Sequence, residues 1–351
     1  MIRAIALTSL ILILIVIAGF FVGKKVIPNS SDLQELTTND EGGEVENKIT
    51  FQLQIEEERK TEYTSSDITT EQTLEPGSNY NRYIASYKSD GLTIYGLLTI
   101  PDGDIPSNGW PVVIFNHGYI PPEEYRTTER YVAYQDGFAR NGYITFKSDY
   151  RGHGNSEGQP SGAYYSDGYI RDVLNLVESI KKYQAANPAK IGMWGHSLGG
   201  HLTLRAMVVS PDIKAGVIWG GVVAHYSDMI NNWHRGTPFT PSEKERVARR
   251  NSSRQKLIEM FGTPEQAADF WNSISPISYV KDISGPVQIH HGSADETVPY
   301  EFSVSLDKAL TDAGKTHEFY LYEGADHNLS GPFNLAMERS IDFFDKYLKD
   351  N

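Results

Sequence analysis

The sequence predicts an α/β fold with a mostly parallel, twisted sheet, helices on both faces and a helical, cap-like insertion. After Pro111, short and continuous apolar runs alternate with helical patterns, which is typical of strands that are covered on both faces. The chain has 351 residues, of which 39% are hydrophobic. This length suffices for one large domain of roughly 250 to 280 residues and an N-terminal extension.

Each element of this fold follows from a local pattern. The apolar runs that predict parallel strands are residues 112–115, 143–146, 191–194, 215–219, 287–290 and 319–321. An antiparallel hairpin, 83–87 with 92–100, is predicted before them, because a Ser-Asp-Gly turn separates two alternating runs. Helices are predicted over 131–141, 169–185, 198–209 and 334–348. Residues 49–55 alternate in polarity and predict a further strand in an N-terminal arm.

The rhythm of strands and helices breaks between residues 223 and 280, where scattered aromatic residues stand in helical and loop patterns. A long insertion after a strand of such a sheet tends to cover the ligand site. We therefore expect a cap-like insertion over residues 223–280. The alternative is a helical hairpin at the surface with its own small core.

The N-terminus carries an almost continuous apolar run over residues 4–22, about the length needed to cross a bilayer. We predict a transmembrane signal anchor over residues 1–25, a polar tether and arm over 26–79, and the main domain over 80–351. The alternative is a signal peptide that is cleaved after Ala18. Because the flanking positive charges balance, the positive-inside rule leaves the orientation open. We expect the main domain to lie outside the cytoplasm.

Charge and cysteine content exclude several classes of function. The formal net charge of −13 argues against a nucleic-acid partner, since no basic surface is available to neutralise phosphates. The chain has no cysteine, which excludes disulfides, thiolate metal sites and a cysteine nucleophile. The histidines do not stand at the i, i+4 spacing of a helical metal site, so neither a metal nor another cofactor is expected.

A nucleophile motif is present in Gly195-His196-Ser197-Leu198-Gly199, which follows a predicted strand and leads into a predicted helix. This G-x-S-x-G spacing places the serine on a sharp and strained strand-to-helix turn, and glycines on both sides allow the turn to close. The motif in this context predicts that Ser197 is the nucleophile of an α/β-hydrolase fold.

A serine hydroxyl needs a base, and the base needs a carboxylate to fix its tautomer. In the α/β-hydrolase fold these follow the serine in the order acid and then histidine. Asp295 follows the strand 287–290, with Glu296 as the nearest competitor, and His327 follows the last strand. We predict that Asp295 and His327 complete a catalytic triad.

The tetrahedral intermediate of acyl transfer needs two donors for its oxyanion. We predict the backbone N–H of Leu198 as the first donor. The second is the backbone N–H of Tyr119, because Gly118 lets the loop after the first parallel strand turn inward. The alternatives are that the Tyr119 hydroxyl contributes, or that its ring forms a wall of the pocket.

Two loops carry weaker signals. Glu123 and Glu124 stand beside the oxyanion loop, where a carboxylate could bind a substrate amine, although a solvated turn is the plainer interpretation. Asp149 and Arg151 stand in a glycine-rich loop. We expect these two side chains to pair with each other.

Together these motifs resemble the catalytic domain of the prolyl oligopeptidase (S9) family over roughly residues 80 to 350. The matching segments are 116–119, 149–154, 195–200, 275–280, 291–299 and 325–327. The resemblance implies a serine peptidase of short peptides or a related esterase. That family usually carries a β-propeller, and no such domain fits before Tyr80, so selection of substrates by a propeller is not expected. Related single-domain members resemble dienelactone hydrolases and acyl esterases.

The resulting functional hypothesis is a serine hydrolase that cleaves small peptides or esters through an acyl-enzyme. An acyl esterase is the alternative within the same chemistry. A hypothesis of another class is a non-catalytic, membrane-tethered binding module that kept the fold.

Overall fold

The computed structural model describes residues 52–236, 240–248 and 253–349. The nine strands are β1 (Thr69–Leu74), β2 (Tyr80–Ser89), β3 (Leu92–Pro101), β4 (Trp110–Asn116), β5 (Ile144–Ser148), β6 (Ala186–His196), β7 (Ile213–Trp219), β8 (Val287–Gly292) and β9 (His317–Tyr322). The helices before the insertion are α1 (Ile55–Lys60), α2 (Val132–Arg140), α3 (Gly168–Lys181) and α4 (Leu198–Val209). Those of the insertion are α5 (Tyr226–Asn231), α6 (Glu243–Ala248), α7 (Arg254–Phe261) and α8 (Ala268–Ser273), and α9 (Glu301–Asp312) and α10 (Phe333–Phe344) follow.

The nine strands form one sheet in the order β1-β2-β3-β5-β4-β6-β7-β8-β9. The pairs from β1 through β3 to β5 are antiparallel, and all pairs from β5 through β4 to β9 are parallel. The chain first moves from β4 to one side and then returns to place β6 on its other side. Ligands of open α/β sheets bind at such a switch point, at the carboxyl ends of the strands. The predicted fold class is confirmed.

The central parallel strand β4 carries a continuous apolar run because both faces of the sheet are covered there. In β4, Val112 and Ile114 belong to the core on one face, whereas Val113 and Phe115 belong to the core on the other. All four side chains are fully buried. This is the period of two expected of a strand between two layers of helices.

The N-terminal arm docks on the helix that follows the nucleophile motif. Glu58 of α1 forms a buried ion pair with Arg205 of α4, at 2.9 Å between Oε2 and Nε. Arg205 also donates to the carbonyl oxygens of Leu53 and Ile274. The strand predicted over 49–55 is wrong for its described residues. Leu53 is buried just before α1, whose acidic and basic residues favour a helix.

Strand β1 was not predicted, because its sequence lacks the apolar alternation of a half-buried strand. It pairs only with β2 at the edge of the sheet, and most of its residues are exposed. The predicted anchor over residues 1–25 lies outside the described residues. Within the part of the chain that the structure describes, no helix has the length and hydrophobicity to cross a membrane.

The insertion between β7 and β8 consists of short helices. Its aromatic residues pack on one another, with the rings of Phe261 and Phe270 stacked at 3.8 Å between centroids. Tyr226, Phe270 and Trp271 are also buried in the main core. The insertion is therefore packed onto the domain in its described parts.

Candidate active site

Ser197 occupies the sharp turn between β6 and α4. Its φ of 56° and ψ of −117° lie in a region that L-residues rarely adopt, as a strained nucleophile turn requires. The backbone holds this conformation through hydrogen bonds to the neighbouring strand end, from Ser197 N to Trp219 O at 3.0 Å and from Val222 N to Ser197 O at 3.1 Å. The residue is buried except for 9% of its surface.

The two glycines of the motif are required by close approach of the backbone. A Cβ atom on Gly195 would lie 2.2 Å from the carbonyl oxygen of Gly199. One on Gly199 would lie 1.8 Å from the carbonyl oxygen of Asn116, at the end of β4. Neither position has room for a side chain, so these glycines let α4 begin directly against the loop after β4.

Asp295 lies in the loop after β8, where its side chain is fully buried. Its Oδ1 accepts the backbone N–H groups of Thr297 and Val298 at 2.8 and 2.9 Å, and its Oδ2 faces His327 and His291. Burial favours the neutral acid, but the hydrogen bonds that the carboxylate accepts from His291, His327 and the Val298 N–H outweigh this effect. Together they hold the pKa of the Asp295 carboxyl well below its ordinary value.

His327 pairs with Asp295 through its Nδ1, at 2.6 Å from Oδ2. Because a carboxylate only accepts hydrogen bonds, Nδ1 carries the proton and Nε2 has a free lone pair. The turn after β7 lies against His327, since a Cβ on Gly220 would lie 3.1 Å from His327 Nδ1. The same turn is hydrogen-bonded to Ser197 through the carbonyl oxygen of Trp219. No hydrogen bond joins Ser197 Oγ to His327 in the described structure. Such bonds are often long in the absence of substrate.

His291 is a second hydrogen-bond partner of Asp295, and no motif in the sequence predicted this contact. Its Nε2 lies 3.1 Å from Asp295 Oδ2 and 3.0 Å from Val298 O, and its Nδ1 lies 2.6 Å from Ser303 Oγ. Both partners of Nε2 are acceptors, so Nε2 carries the proton and donates to the acid. The only indication of this contact in the sequence is that His291 stands four residues before Asp295.

A hydrogen-bonded chain connects the loop after β4, the turn between β6 and α4, and the loop after β9. The Gly118 N–H donates to the Tyr131 hydroxyl at 2.9 Å, and that hydroxyl lies 2.7 Å from His196 Nδ1. On the other side of the ring, His196 Nε2 lies 3.0 Å from the carbonyl oxygen of His327. We name this the Tyr131–His196 bridge.

The protonation of the bridge follows from its partners. The carbonyl oxygen of His327 accepts, so His196 Nε2 donates and Nδ1 accepts from the Tyr131 hydroxyl. Burial, with the nearby His327, lowers the pKa of His196 to about 3, which keeps this imidazole neutral. No sequence motif predicts a role for Tyr131.

The predicted pair between Asp149 and Arg151, in the loop after β5, is wrong. Asp149 does not pair with Arg151, because its carboxylate accepts hydrogen bonds from Tyr125 at 2.7 Å and from Thr127 at 2.5 Å. Arg151 instead pairs with Asp172 of α3 at 2.7 Å and with Asp90 at 2.8 Å. The expected local pair is therefore replaced by contacts to distant segments.

A cavity of about 330 Å³ adjoins the site. It is lined by Tyr119 and Leu198, the predicted oxyanion residues, and by side chains of the loop 161–165 and of the insertion. The Tyr119 ring forms part of the wall, and its hydroxyl donates to Glu245 at 2.8 Å. Glu123 and Glu124 are exposed and do not line the cavity, which favours the solvated turn for these two residues.

Comparison with known families supports this architecture. A family model described as BD-FAE matches residues 103–310, more than half of the chain. The uncharacterized peptidase YuxL of Bacillus subtilis is 28% identical over 253 residues, which are 69% of this chain and 34% of YuxL. Dipeptidyl peptidase 4 of Sus scrofa is 22% identical over 184 residues, which are 51% of this chain and 21% of that protein.

The chain thus spans about a third of YuxL and about a fifth of dipeptidyl peptidase 4. Among solved structures, an acetyl xylan esterase from Paenibacillus sp. R4 matches with a TM-score of 0.59 at 18% identity. That match covers 92% of this chain and 100% of the esterase. The predicted resemblance to S9 peptidases is confirmed, and esterases share the fold.

Proposed function

The chain belongs to the BD-FAE family, within the α/β-hydrolase superfamily, and we propose that it is a serine hydrolase that cleaves peptide or ester bonds of small substrates through an acyl-enzyme. The observation that carries this proposal is the hydrogen bond of 2.6 Å between His327 Nδ1 and Asp295 Oδ2. It holds the imidazole in the one tautomer that leaves Nε2 able to accept a proton.

The first half of the proposed reaction forms the acyl-enzyme. Ser197 Oγ attacks the carbonyl carbon while His327 Nε2 takes the hydroxyl proton, and Asp295 stabilises the imidazolium that results. When the tetrahedral intermediate collapses, the bond to the leaving group breaks and His327 returns the proton to that group. Water then repeats the sequence on the acyl-enzyme, which releases the acid and restores Ser197.

The proposed oxyanion donors are the backbone N–H groups of Leu198 and Tyr119. Leu198 is the first residue of α4, so its N–H has no acceptor in a preceding helical turn. The loop that carries Tyr119 lies against the nucleophile, because a Cβ on Gly118 would lie 3.2 Å from Ser197 Cβ. Two such donors stabilise charge that develops only during the reaction.

The experiment that tests this function is a panel of p-nitrophenyl esters and of aminoacyl and dipeptidyl anilides, assayed with the purified protein. We expect hydrolysis of esters, and of anilides where the protein acts as a peptidase. Ester turnover without anilide turnover selects the acyl esterase. A folded protein that hydrolyses none of them would be the non-catalytic binding module instead.

Removal of the Tyr131 hydroxyl tests the Tyr131–His196 bridge. Tyr131→Phe leaves the Gly118 N–H and His196 Nδ1 without their shared partner, so the oxyanion loop and the histidine loop lose a common support. We expect kcat to fall about ten- to a hundredfold, the cost of a buried unsatisfied group, with KM within about threefold of wild type.

Tyr134→Phe is the matched control, because the Tyr134 ring packs on Tyr131 at 5.4 Å between centroids and its hydroxyl makes no hydrogen bond within the described residues. Its kcat should equal that of wild type. Equal kcat values for the two variants, or a loss that appears only in KM, would show that the bridge does not position catalytic groups.

We further propose that residues 1–25 anchor the protein in a membrane, with the catalytic domain outside the cytoplasm. The full chain should then stay in the membrane fraction after a carbonate wash, because about twenty apolar residues suffice for a stable span. A shortened chain that begins at Ile49 keeps α1 and its ion pair with Arg205, and we expect it to be soluble and fully active. Recovery of a mature protein that begins at Gly19, free in the medium or periplasm, would instead establish signal-peptide cleavage.

A further inference from the structure

The cavity beside Leu198 combines aromatic walls with positive charge. Tyr164 and Tyr165 line it from the loop before α3, and Trp233 lines it from the insertion. Arg235 and Arg254, both from the insertion, also line it. Its volume of about 330 Å³ lies at the lower end of the range for small-molecule sites.

The charges of both arginines act on the hydroxyl of Tyr165, which lines the cavity. Burial raises the pKa of the Tyr165 hydroxyl to about 12, and the charges of Arg254 and Arg235 oppose that shift. The guanidinium carbon of Arg235 lies 4.2 Å from the centroid of the Trp233 ring, so its side chain is held over an aromatic face. Arg254 forms no ion pair with any residue that the structure describes.

Three acidic side chains lie near this wall, and two of them have other roles. The third, Glu296, lies beside Gly236, with its Oε2 3.4 Å from the position of a Cβ there. Glu245 accepts hydrogen bonds from the Tyr119 hydroxyl and from the Ser242 N–H. Asp295 holds His327 and His291. Although the chain has a net charge of −13, the two arginines are the only charged side chains that line this cavity among the described residues.

We propose that this cavity selects esters or amides that carry a carboxylate next to an aromatic or flat apolar group. The inference rests on the proposed function, because it assigns the cavity to the substrate of Ser197. The rings of Tyr164, Tyr165 and Trp233 would pack on the flat part. The Arg254 guanidinium, with its planar fork of donors, would bind the carboxylate.

Matched benzoate esters test the proposal. Phenyl 4-carboxybenzoate carries the charge on the acyl side and 4-carboxyphenyl benzoate on the leaving-group side. Their 4-methyl counterparts are neutral, and their 4-aminomethyl counterparts are cationic. We expect at least one carboxylate ester to exceed its methyl counterpart about tenfold or more in kcat/KM, as for a charged hydrogen bond. The preference should shrink as salt is added.

Arginine variants locate the source of this preference. Arg254→Gln, and the double variant Arg235→Gln with Arg254→Gln, should lose the preference, because kcat/KM falls more for the carboxylate ester than for its methyl counterpart. Arg246→Gln is the matched control, since Arg246 is exposed, pairs with Glu243 and does not line the cavity. It should keep the preference in full.

Absence of any preference, preference for the cationic esters, or a preference that survives in the double variant would overturn the proposal. Failure of the proposed function has a different signature, in which Ser197→Ala hydrolyses the esters as fast as wild type or no ester is cleaved. If the proposed function fails, the charge preference of the cavity can still be tested by calorimetry. Binding of terephthalate to Ser197→Ala is compared with binding of its neutral diamide. Terephthalate should bind more tightly, and Arg254→Gln should abolish the difference.

Discussion

Replacement of Ser197 by alanine is expected to lower kcat about 10⁶-fold, the loss found when a triad nucleophile is removed. The acyl-enzyme cannot form without Oγ, and the turn that holds residue 197 offers no other nucleophile at this point. Release of p-nitrophenol from an ester substrate measures the loss. Circular dichroism checks that the fold is kept, which we expect because alanine only removes a hydroxyl group.

His327→Ala should be as damaging as Ser197→Ala, and the double variant should be no worse than either single one, because nucleophile and base act as a unit. Additive losses would contradict a shared step. His153→Ala is not a suitable control, because His153 is buried among aromatic rings. His234→Ala is suitable, since this histidine is exposed.

Replacement of Asp295 by asparagine should lower kcat about 10⁴-fold, as expected when the histidine is no longer held in the correct tautomer. The amide removes the negative charge that faces His327 Nδ1 at 2.6 Å. Comparison of kcat between this variant and wild type, with KM measured in parallel, tests whether Asp295 orients His327. We expect most of the loss in kcat.

Glu296→Gln is the matched control for the acid. Glu296 is adjacent in sequence and exposed, whereas the Asp295 side chain is fully buried. A larger loss in Glu296→Gln than in Asp295→Asn would reassign the acid.

Because the pKa of Asp295 is lowered, its carboxylate stays ionised at pH values where ordinary carboxyl groups begin to protonate. Protonation of Asp295 should therefore contribute no acid limb to the kcat/KM profile at those pH values.

The parts of the fold that sequence alone predicts are those whose signal is local. The strands over 112–115 and 191–194 are fully buried on both faces, so each is a continuous apolar run. The relation of Ser197 to Asp295 and His327 also follows from their order along the chain, because this fold places each after a particular strand. The structure brings Asp295 and His327 into contact across 32 residues of sequence.

Interactions between distant segments left no such signal. The partner of Glu58 is Arg205, 147 residues away, and an isolated run of charged residues does not reveal that pairing. Arg151 binds Asp172 rather than the nearby Asp149, because the turn of the loop aims it at α3. Tyr131 had no motif at all, and only the folded loop brings its hydroxyl to Gly118.

The most direct measurement for the central claim is the site of covalent modification by a fluorophosphonate probe, read by mass spectrometry of the digested protein. Such probes react with a serine only when it is activated as a nucleophile. We predict one adduct, on the peptide that contains Ser197, and no adduct in the folded Ser197→Ala and His327→Ala variants. An adduct on another residue, or undiminished labelling of folded Ser197→Ala, would contradict the assignment of Ser197 as the nucleophile.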